Sequence, residues 1–217
     1  MIIKAVIFDI DDTLTQTIKV KWKALKETGK KYYSLQIPDE TLRKFWGLPF
    51  NELILNLFQS IDTSDNIINN YCKTVSEFPA IAHKGAKVVL EKLSRRYIIC
   101  ALTSSSRKLI DHDFENSGID PKIFSIIQTQ EDTKVHKPNP EVLNPTLKLL
   151  STKKIRLNET ILAGDSLKDY QCAIKAGLKF VAVTTGLDDK TAFIEAGLSE
   201  KMIMDEISKL PELIGDL

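Results

Sequence analysis

Side chains of a few chemical types follow four of the short apolar runs in this sequence. In chain order they are Asp9 and Asp11, Thr103 and Ser104, Lys137, and Asp165 and Asp169. Carboxylate oxygens are ligands of Mg²⁺, which keeps part of its water and bridges to phosphate groups. Hydroxyl groups, an ammonium group and backbone N–H groups near helix starts can bind the remaining phosphate oxygens. These residue types therefore predict phosphoryl transfer.

The apolar runs themselves predict the strands of a parallel sheet. They cover residues 2–8, 97–102, 123–127, 160–163, 180–183 and, more weakly, 202–204. Amphipathic stretches separate the runs, a pattern typical of helices that cover both faces of a parallel sheet. The predicted fold class is α/β, with a doubly wound, Rossmann-like sheet. Ligands bind beyond the carboxyl ends of such strands, so the polar side chains should share one rim.

The segment after the first apolar run departs from this alternation. From about residue 15 to residue 79 the patterns are helical, and turn signals such as Gly47-Leu48-Pro49 divide them. A crossover between neighbouring parallel strands needs only one helix. The excess predicts an all-helical domain at residues 15–81, inserted between the two parts of a catalytic core at residues 1–14 and 82–217.

The composition narrows the range of partners. The chain has 217 residues, with 30 basic and 29 acidic side chains and a formal net charge of +1. This balance argues against nucleic-acid binding and against binding to acidic membranes. The first apolar stretch meets Asp9 too early for a signal peptide or a membrane span, so we expect a cytoplasmic protein. The oligomeric state stays open, and a monomer is compatible with the sequence.

Four motifs resemble those of the haloacid dehalogenase superfamily, in the order in which that family has them. They are Asp9-x-Asp11-x-Thr13, Thr103, Lys137 before Pro138, and Gly164-Asp165-x-x-x-Asp169. The helical insert stands where the branch of phosphoglycolate phosphatases and β-phosphoglucomutases carries its cap domain. The resemblance implies a Mg²⁺-dependent phosphatase that acts on a small phosphate monoester. A phosphoglycolate-like compound, a sugar phosphate or a nucleotide would each suit this branch.

The resemblance also implies a role for each carboxylate. Asp9 would attack the phosphorus and form an aspartyl-phosphate. Asp11 would protonate the leaving alcohol and later take a proton from the water that hydrolyses the intermediate. Asp9, the backbone carbonyl of Asp11, and Asp165 would hold the Mg²⁺. Asp169 would complete the outer shell of the metal or orient Lys137.

Three residues are predicted to hold the phosphate oxygens that are not transferred. The resemblance gives this role to the Thr103 hydroxyl and to the Lys137 ammonium. Ser104 is a further candidate, through its backbone N–H. Loss of one such contact is expected to cost roughly 3 kcal/mol in the transition state.

The helical insert holds three candidate substrate contacts: Lys21, Arg43 and Gly47. Arg43 stands one turn before the glycine turn at Gly47, which faces the catalytic rim in capped members of the branch. Lys21 or Arg43 would contact the leaving group, while closure of the cap excludes water. The aromatic side chains of the insert are instead predicted to form its core; they are Trp22, Phe45, Trp46, Phe50 and Phe58.

Two other functions remain open at this point. Sugar-phosphate mutases of the β-phosphoglucomutase type share all four motifs, but usually carry a His about twelve residues after the nucleophile and an Arg about three after the cap glycine. Lys21 and Phe50 occupy those places here. A phosphate-binding or signalling module is the second alternative. Receiver domains combine similar residues, but they are about half as long and have no insert after their first strand.

Overall fold

Six parallel strands form the central sheet in the computed structural model, which describes residues 2–215. The strands are β1 (Ala5–Phe8), β2 (Ile98–Leu102), β3 (Ile126–Gln128), β4 (Thr160–Gly164), β5 (Lys179–Val183) and β6 (Ile203–Met204). Their order in the sheet is β3-β2-β1-β4-β5-β6. The order reverses at β1, which is the arrangement of a doubly wound sheet and confirms the predicted fold class. Met1 and residues 216–217, the ends of the predicted core ranges, lie outside the described residues.

Helices connect the strands and cover both faces of the sheet. Within residues 2–215 they are α1 (Thr17–Tyr33), α2 (Asp39–Phe45), α3 (Phe50–Leu57), α4 (Ser64–Val75), α5 (Ala86–Ser94), α6 (Arg107–Ser117), α7 (Asn144–Thr152), α8 (Leu167–Lys175), α9 (Lys190–Glu195) and α10 (Leu210–Gly215). Short 3₁₀ turns lie at Pro121–Ile123, Gln130–Asp132, Pro140–Leu143, Leu157–Glu159, Glu200–Met202 and Ile207–Lys209. Across this range of the chain, every helix is too short or too polar to cross a membrane.

Two strands begin three residues later than the apolar runs predict. β1 begins at Ala5 rather than at residue 2, and β3 begins at Ile126 rather than at residue 123. The chain is still turning at Pro121–Ile123, because the Asp120 carboxylate accepts a hydrogen bond of 2.9 Å from the backbone N–H of Lys122. The apolar residues just before β3 therefore pack from a turn and not from a strand.

Alternate residues of β1 enter two separate hydrophobic cores. Val6 and Phe8 belong to the core beneath α5, α6 and α10, while Ala5 and Ile7 belong to the core beneath α7, α8 and α9. All four side chains are fully buried, as expected for a central strand whose successive side chains point to opposite faces. The sheet rim beyond β1 is thus held rigidly from both sides.

Helices α1 to α4 lie between β1 and β2 in the chain and build a third core of their own. Leu25 of α1, Ile54 of α3 and Tyr71 of α4 are buried together in it. Leu109 of α6 joins this core from the sheet side. The division at residues 15–81 stays a prediction.

The two chain segments that connect these helices to the sheet run side by side. Thr15 pairs with Ala82 in an isolated antiparallel bridge. The backbone N–H of Gln16 donates to the carbonyl of Ile81 at 2.7 Å. The chain therefore enters and leaves the helical segment at one place on the sheet rim.

Candidate active site

Asp9 and Asp165 lie next to each other because β1 and β4 are neighbours in register. Phe8 pairs with Ala163, so the residues that follow these two strands leave the sheet together. Asp169 joins them from the first turn of α8. One oxygen from each carboxylate lies within 4.8 Å of the other two, and all three side chains are buried. The structure thus brings together three of the residues predicted to bind metal.

The start of α8 fixes the carboxylate of Asp169. Ser166 is the N-cap residue, and its hydroxyl accepts a hydrogen bond of 3.2 Å from the backbone N–H of Asp169. In return, Asp169 Oδ2 accepts hydrogen bonds from the backbone N–H and the hydroxyl of Ser166. This capping box orients the carboxylate as well as starting the helix.

Lys137 lies between two of the three carboxylates. Its Nζ is 2.6 Å from Asp9 Oδ1, 2.7 Å from Asp169 Oδ1 and 3.3 Å from the carbonyl oxygen of Leu102. Burial alone would lower the pKa of Lys137, but the two carboxylates outweigh it and the pKa is raised. The ammonium therefore stays charged and holds the Asp9 side chain in one orientation.

One lysine does not neutralise this cluster. Burial raises the pKa of Asp9 to about 7, and Asp169 adds to the rise while Lys137 opposes it. Burial also raises the pKa of Asp165 well above its usual value, with Asp9 and Asp169 contributing. A hard divalent cation bound by these oxygens would stabilise the ionised carboxylates. The donor set therefore fits Mg²⁺.

Gly186 is a site residue that sequence reasoning missed. A Cβ atom on Gly186 would lie 1.8 Å from Oδ2 of Asp165, so any side chain there would displace the carboxylate. Asp165 Oδ1 accepts a hydrogen bond of 3.1 Å from the Thr13 hydroxyl on its other side. The available signal was a glycine that follows the fifth apolar run, at the same end of the sheet as the catalytic motifs.

Asp11 has partners different from those of Asp9. Its Oδ1 is 2.6 Å from Nζ of Lys21, and its Oδ2 accepts hydrogen bonds of 2.8 Å from the hydroxyls of Thr103 and Ser105. Burial raises the pKa of Asp11, but Lys21 and the two hydroxyls together outweigh burial, and the net pKa is lowered. The two carboxylates of the first motif therefore differ in charge preference: Asp11 favours the ionised form, whereas burial favours the protonated form of Asp9 until a cation binds beside it.

The Thr103 hydroxyl contacts Asp11, and its predicted role as a phosphate contact stays a prediction. It donates to Asp11 and accepts from the backbone N–H of Ser105 at 3.0 Å, so both its donor and an acceptor position are used. Thr103 is buried, and it is Ser104 that lines the cavity described below. The hydrogen bond from Thr103 instead fixes the orientation of the Asp11 carboxylate.

Lys21 links the helical segment to the sheet. It belongs to α1, yet its Nζ contacts Asp11 and also lies 2.8 Å from Oδ2 of Asp113 in α6. The side chains of Lys21 and Asp113 are only 6% and 3% exposed. Lys21 Nζ and Asp113 Oδ2 form an ion pair, but their relative orientation does not fit a hydrogen bond. A buried ion network therefore holds α1 against the catalytic rim.

A cavity of about 390 Å³ separates the helical segment from the sheet rim. Apart from Thr103, every residue predicted to belong to the site lines it: Asp9, Asp11, Lys21, Arg43, Gly47, Ser104, Lys137, Asp165 and Asp169. Apolar side chains, among them Leu25, Phe50 and Leu187, form part of the wall. Such a mixture of apolar wall and convergent polar groups is typical of a small-molecule site.

Trp46 and Lys168 are further residues of this cavity that the sequence did not reveal. Trp22, Phe50 and Phe58 are buried in the core of the helical segment as predicted, while Phe45 and Trp46 are partly buried and pack against it; Trp46 also lines the cavity. Its indole N–H donates to Oδ2 of Asp12 at 3.2 Å, and its carbonyl accepts from Nζ of Lys168 at 3.2 Å. The turn at Trp46 is therefore fastened to the sheet rim at two points.

The comparisons with known proteins agree with this geometry. The sequence profile described as "Haloacid dehalogenase-like hydrolase" matches residues 6–183. Pyrophosphatase PpaX of Bacillus mycoides is 29% identical over 220 residues, which cover 97% of this chain and 96% of that protein. The crystal structure of CbbY from Rhodobacter sphaeroides in complex with phosphate has a TM-score of 0.80 at 18% identity and covers 96% of each chain. A predicted phosphoglycolate phosphatase from Haemophilus somnus has a TM-score of 0.75 at 18% identity and covers 97% of each chain.

Proposed function

Because the chain belongs to the family of haloacid dehalogenase-like hydrolases, we propose that it is a Mg²⁺-dependent phosphatase of small phosphate monoesters. The observation that carries this proposal is the buried cluster of Asp9, Asp165 and Asp169 with Lys137 bound to two of its members. Three carboxylates and one ammonium at a sheet rim can bind a divalent metal and a phosphate group together.

Asp9 is the proposed nucleophile. Its backbone N–H donates to the carbonyl of Ala163 at 2.9 Å, and Lys137 fixes its Oδ1, so the carboxylate is held in place. The other two carboxylates already accept side-chain hydrogen bonds, from Thr13 to Asp165 and from Ser166 to Asp169. A carboxylate oxygen of Asp9 would form a bond to phosphorus while the bond from phosphorus to the leaving oxygen breaks. The product of this step is an aspartyl-phosphate.

Asp11 is the proposed general acid and base. In its protonated form, which the water-activating step of each cycle regenerates, it would donate a proton to the leaving oxygen. As the carboxylate it would then take a proton from the attacking water, whose oxygen displaces Asp9 from phosphorus. Lys21 and the hydroxyls of Thr103 and Ser105 hold the carboxylate in place for both steps. Leaving groups that need no proton should therefore depend least on Asp11.

The metal is proposed to bind to Asp9, Asp165 and Asp169, with the backbone carbonyl of Asp11 as a further ligand. When bound, Mg²⁺ supplies positive charge that lets one anion approach another and stabilises charge on the transferred phosphoryl group. Lys137 and Ser104 are the proposed contacts of the phosphate oxygens, while Thr103 would act mainly by positioning Asp11.

Helices α1 to α4 are the proposed cap, which selects the substrate. Lys21, Arg43 and Gly47 line the cavity from this side, and the cavity volume of about 390 Å³ suits a small ligand. Phosphoglycolate-like compounds, sugar phosphates and nucleotides remain candidates from the sequence. The likeness to the protein named pyrophosphatase PpaX adds inorganic pyrophosphate to them.

The test is release of phosphate from 4-nitrophenyl phosphate and from a panel of these compounds, with and without Mg²⁺. We expect metal-dependent turnover by the wild type and at least a thousandfold loss of kcat in Asp9→Asn, which keeps the shape of the side chain but removes the nucleophile. Absence of turnover on every compound would contradict the proposal.

Asp11→Asn separates the two proposed carboxylate roles. The variant should lose much more activity on an alkyl phosphate than on 4-nitrophenyl phosphate, because nitrophenolate leaves without a proton. Equal losses on both substrates would contradict the general-acid role. Conversion of β-glucose 1-phosphate into the 6-phosphate would instead support the mutase alternative.

A further inference from the structure

Lys168 differs in its partners from the two other lysines buried at the cavity wall. Lys137 contacts Asp9 and Asp169, and Lys21 contacts two carboxylates as well. Lys168 instead donates to a neutral group, the carbonyl of Trp46, at 3.2 Å. No carboxylate within residues 2–215 lies within ion-pair distance of its Nζ, and the carboxylates of Asp169, Asp188 and Glu52 act on it only at longer range.

The surroundings of Lys168 disfavour its charge. It is the second residue of α8, where the positive end of the helix repels a cation. Its side chain is also partly buried, and a desolvated charge is costly unless it is paired. Asp188, another acidic residue of the cavity wall, already accepts a hydrogen bond of 2.7 Å from the backbone N–H of Leu167. The ammonium therefore has donor capacity that an anionic ligand would satisfy.

The turn of the cap leaves room beside this ammonium. Gly47 has a φ of +77° and lines the cavity, and a Cβ atom built on it would lie 3.4 Å from Nζ of Lys168. A larger residue would thus cover the ammonium. Arg43 lines the same cavity and adds a second positive charge from the cap. Arg43 of α2 and Lys168 of α8 thus line the same cavity from opposite parts of the chain.

We propose that Lys168 binds a second negative charge, carried by the leaving group of the substrate. The inference rests on the proposed phosphatase function and makes it more specific. The substrate class is a phosphate compound whose leaving group is itself anionic, through a carboxylate or a further phosphate. Lys168 and Asp169 line the same cavity at the start of α8, and its volume of about 390 Å³ favours a short leaving group.

A matched pair of substrates tests the inference. The phosphate ester of glycolate and the phosphate ester of glycolamide have nearly the same shape, but only the first has a charged leaving group. The wild type should prefer the charged ester in kcat/KM by about 10- to 100-fold, the range of one charge-assisted hydrogen bond. In a parallel comparison of inorganic pyrophosphate with methyl phosphate, phosphate is also the better leaving group, so the change that Lys168→Met makes in the ratio shows whether a phosphate serves as well as a carboxylate.

Two variants assign the preference to Lys168. In Lys168→Met and in Lys168→Gln the ratio between the charged and the neutral ester should fall towards one, whereas Lys168→Arg should retain most of it. The glutamine keeps a neutral hydrogen-bond donor at this position, whereas the methionine removes both the charge and the donor. Lys175→Met removes a charge from the exposed end of the same helix and should leave the ratio unchanged.

The outcomes distinguish this inference from the proposed function. If 4-nitrophenyl phosphate is hydrolysed but neither charged compound is preferred over its neutral partner, the second-anion site is refuted and the phosphatase stands. If Lys168→Met lowers kcat/KM equally for both esters, Lys168 only fastens the cap and the inference is wrong. If no compound is hydrolysed, both the proposed function and the inference fail.

Discussion

The ion network between Lys21 and Asp113 makes a quantitative prediction about stability. Asp113→Asn keeps the size of the side chain and removes its charge, leaving Lys21 with Asp11 at 2.6 Å as its remaining carboxylate partner. Removing one member of a buried ion pair costs about 3–5 kcal/mol in general. Because Lys21 keeps a second counter-ion, we expect the lower end, about 3 kcal/mol. For a chain of this length that corresponds to a fall in Tm of about 6–12 °C.

Thermal unfolding followed by circular dichroism measures this loss. Asp111→Asn is the matched control, because Asp111 lies on the same helix, α6, but is exposed. The control should change the free energy of unfolding by less than about 0.5 kcal/mol. If Asp113→Asn destabilises the protein no more than Asp111→Asn does, the network does not hold α1 against the sheet and the reasoning is refuted.

A double-mutant cycle shows whether the loss comes from the pair itself. Lys21→Met leaves Asp11 and Asp113 buried without their shared cation, so we expect it to be destabilising as well. The combined variant should lose less than the two single losses added together, with a coupling energy of at least about 1 kcal/mol. Simple additivity would show that Lys21 and Asp113 act independently.

Two more predictions concern the metal site and the dependence of stability on pH. Gly186→Ala should raise the Mg²⁺ concentration for half-maximal activity at least about tenfold, because its Cβ would lie 1.8 Å from Oδ2 of Asp165. Gly215→Ala is the control, since its Cβ would meet no atom within 4 Å. An unaltered Mg²⁺ requirement in Gly186→Ala would contradict the inferred role of Gly186. Hydrogen bonds from Arg156 and Lys4 hold the pKa of Glu159 at about 2, below its usual 4.5. The ionised Glu159 therefore stabilises the folded protein fully when the pH is above 4.5, and this stabilisation is lost as the pH falls towards 2. The difference in Tm between the wild type and Glu159→Gln should therefore shrink from pH 6 to pH 3. Glu40→Gln, on the surface of α2, is the control and should show no such trend. A constant difference for Glu159→Gln would refute the stabilising role of the ionised Glu159.

The sequence predicted that the carboxylates of Asp9, Asp165 and Asp169 lie together, because their positions depend on local patterns. Asp9 and Asp165 each follow a short apolar run, and parallel strands bring such positions to one rim. The contacts of hydroxyl groups were harder to predict. Thr103 could donate to a phosphate or to a neighbouring carboxylate, and only the observed 2.8 Å contact with Asp11 shows which of them it reaches here.

Contacts between the helical segment and the sheet could not be predicted from local patterns. Lys21 and Asp113 are 92 positions apart in α1 and α6, and each alone resembles a solvated surface charge. A signal for Asp113 does exist: it lies on the buried face of α6 with Leu109, Ile110 and Phe114. A charged residue on an apolar helix face implies a buried partner, but the sequence does not say which one.

The side-by-side attachment of the helical segment has a consequence for how this protein can be altered. Because Thr15 and Ala82 are paired, the chain leaves the sheet and returns to it at almost the same point. The spacing of β1 and β2 therefore does not depend on the length of this segment, and another helical bundle with closely spaced ends could be joined at the same two positions. Asp11 and Asp113 set the condition for such an exchange, since both contact Lys21 of the segment and the new bundle must bring its own cation to these carboxylates.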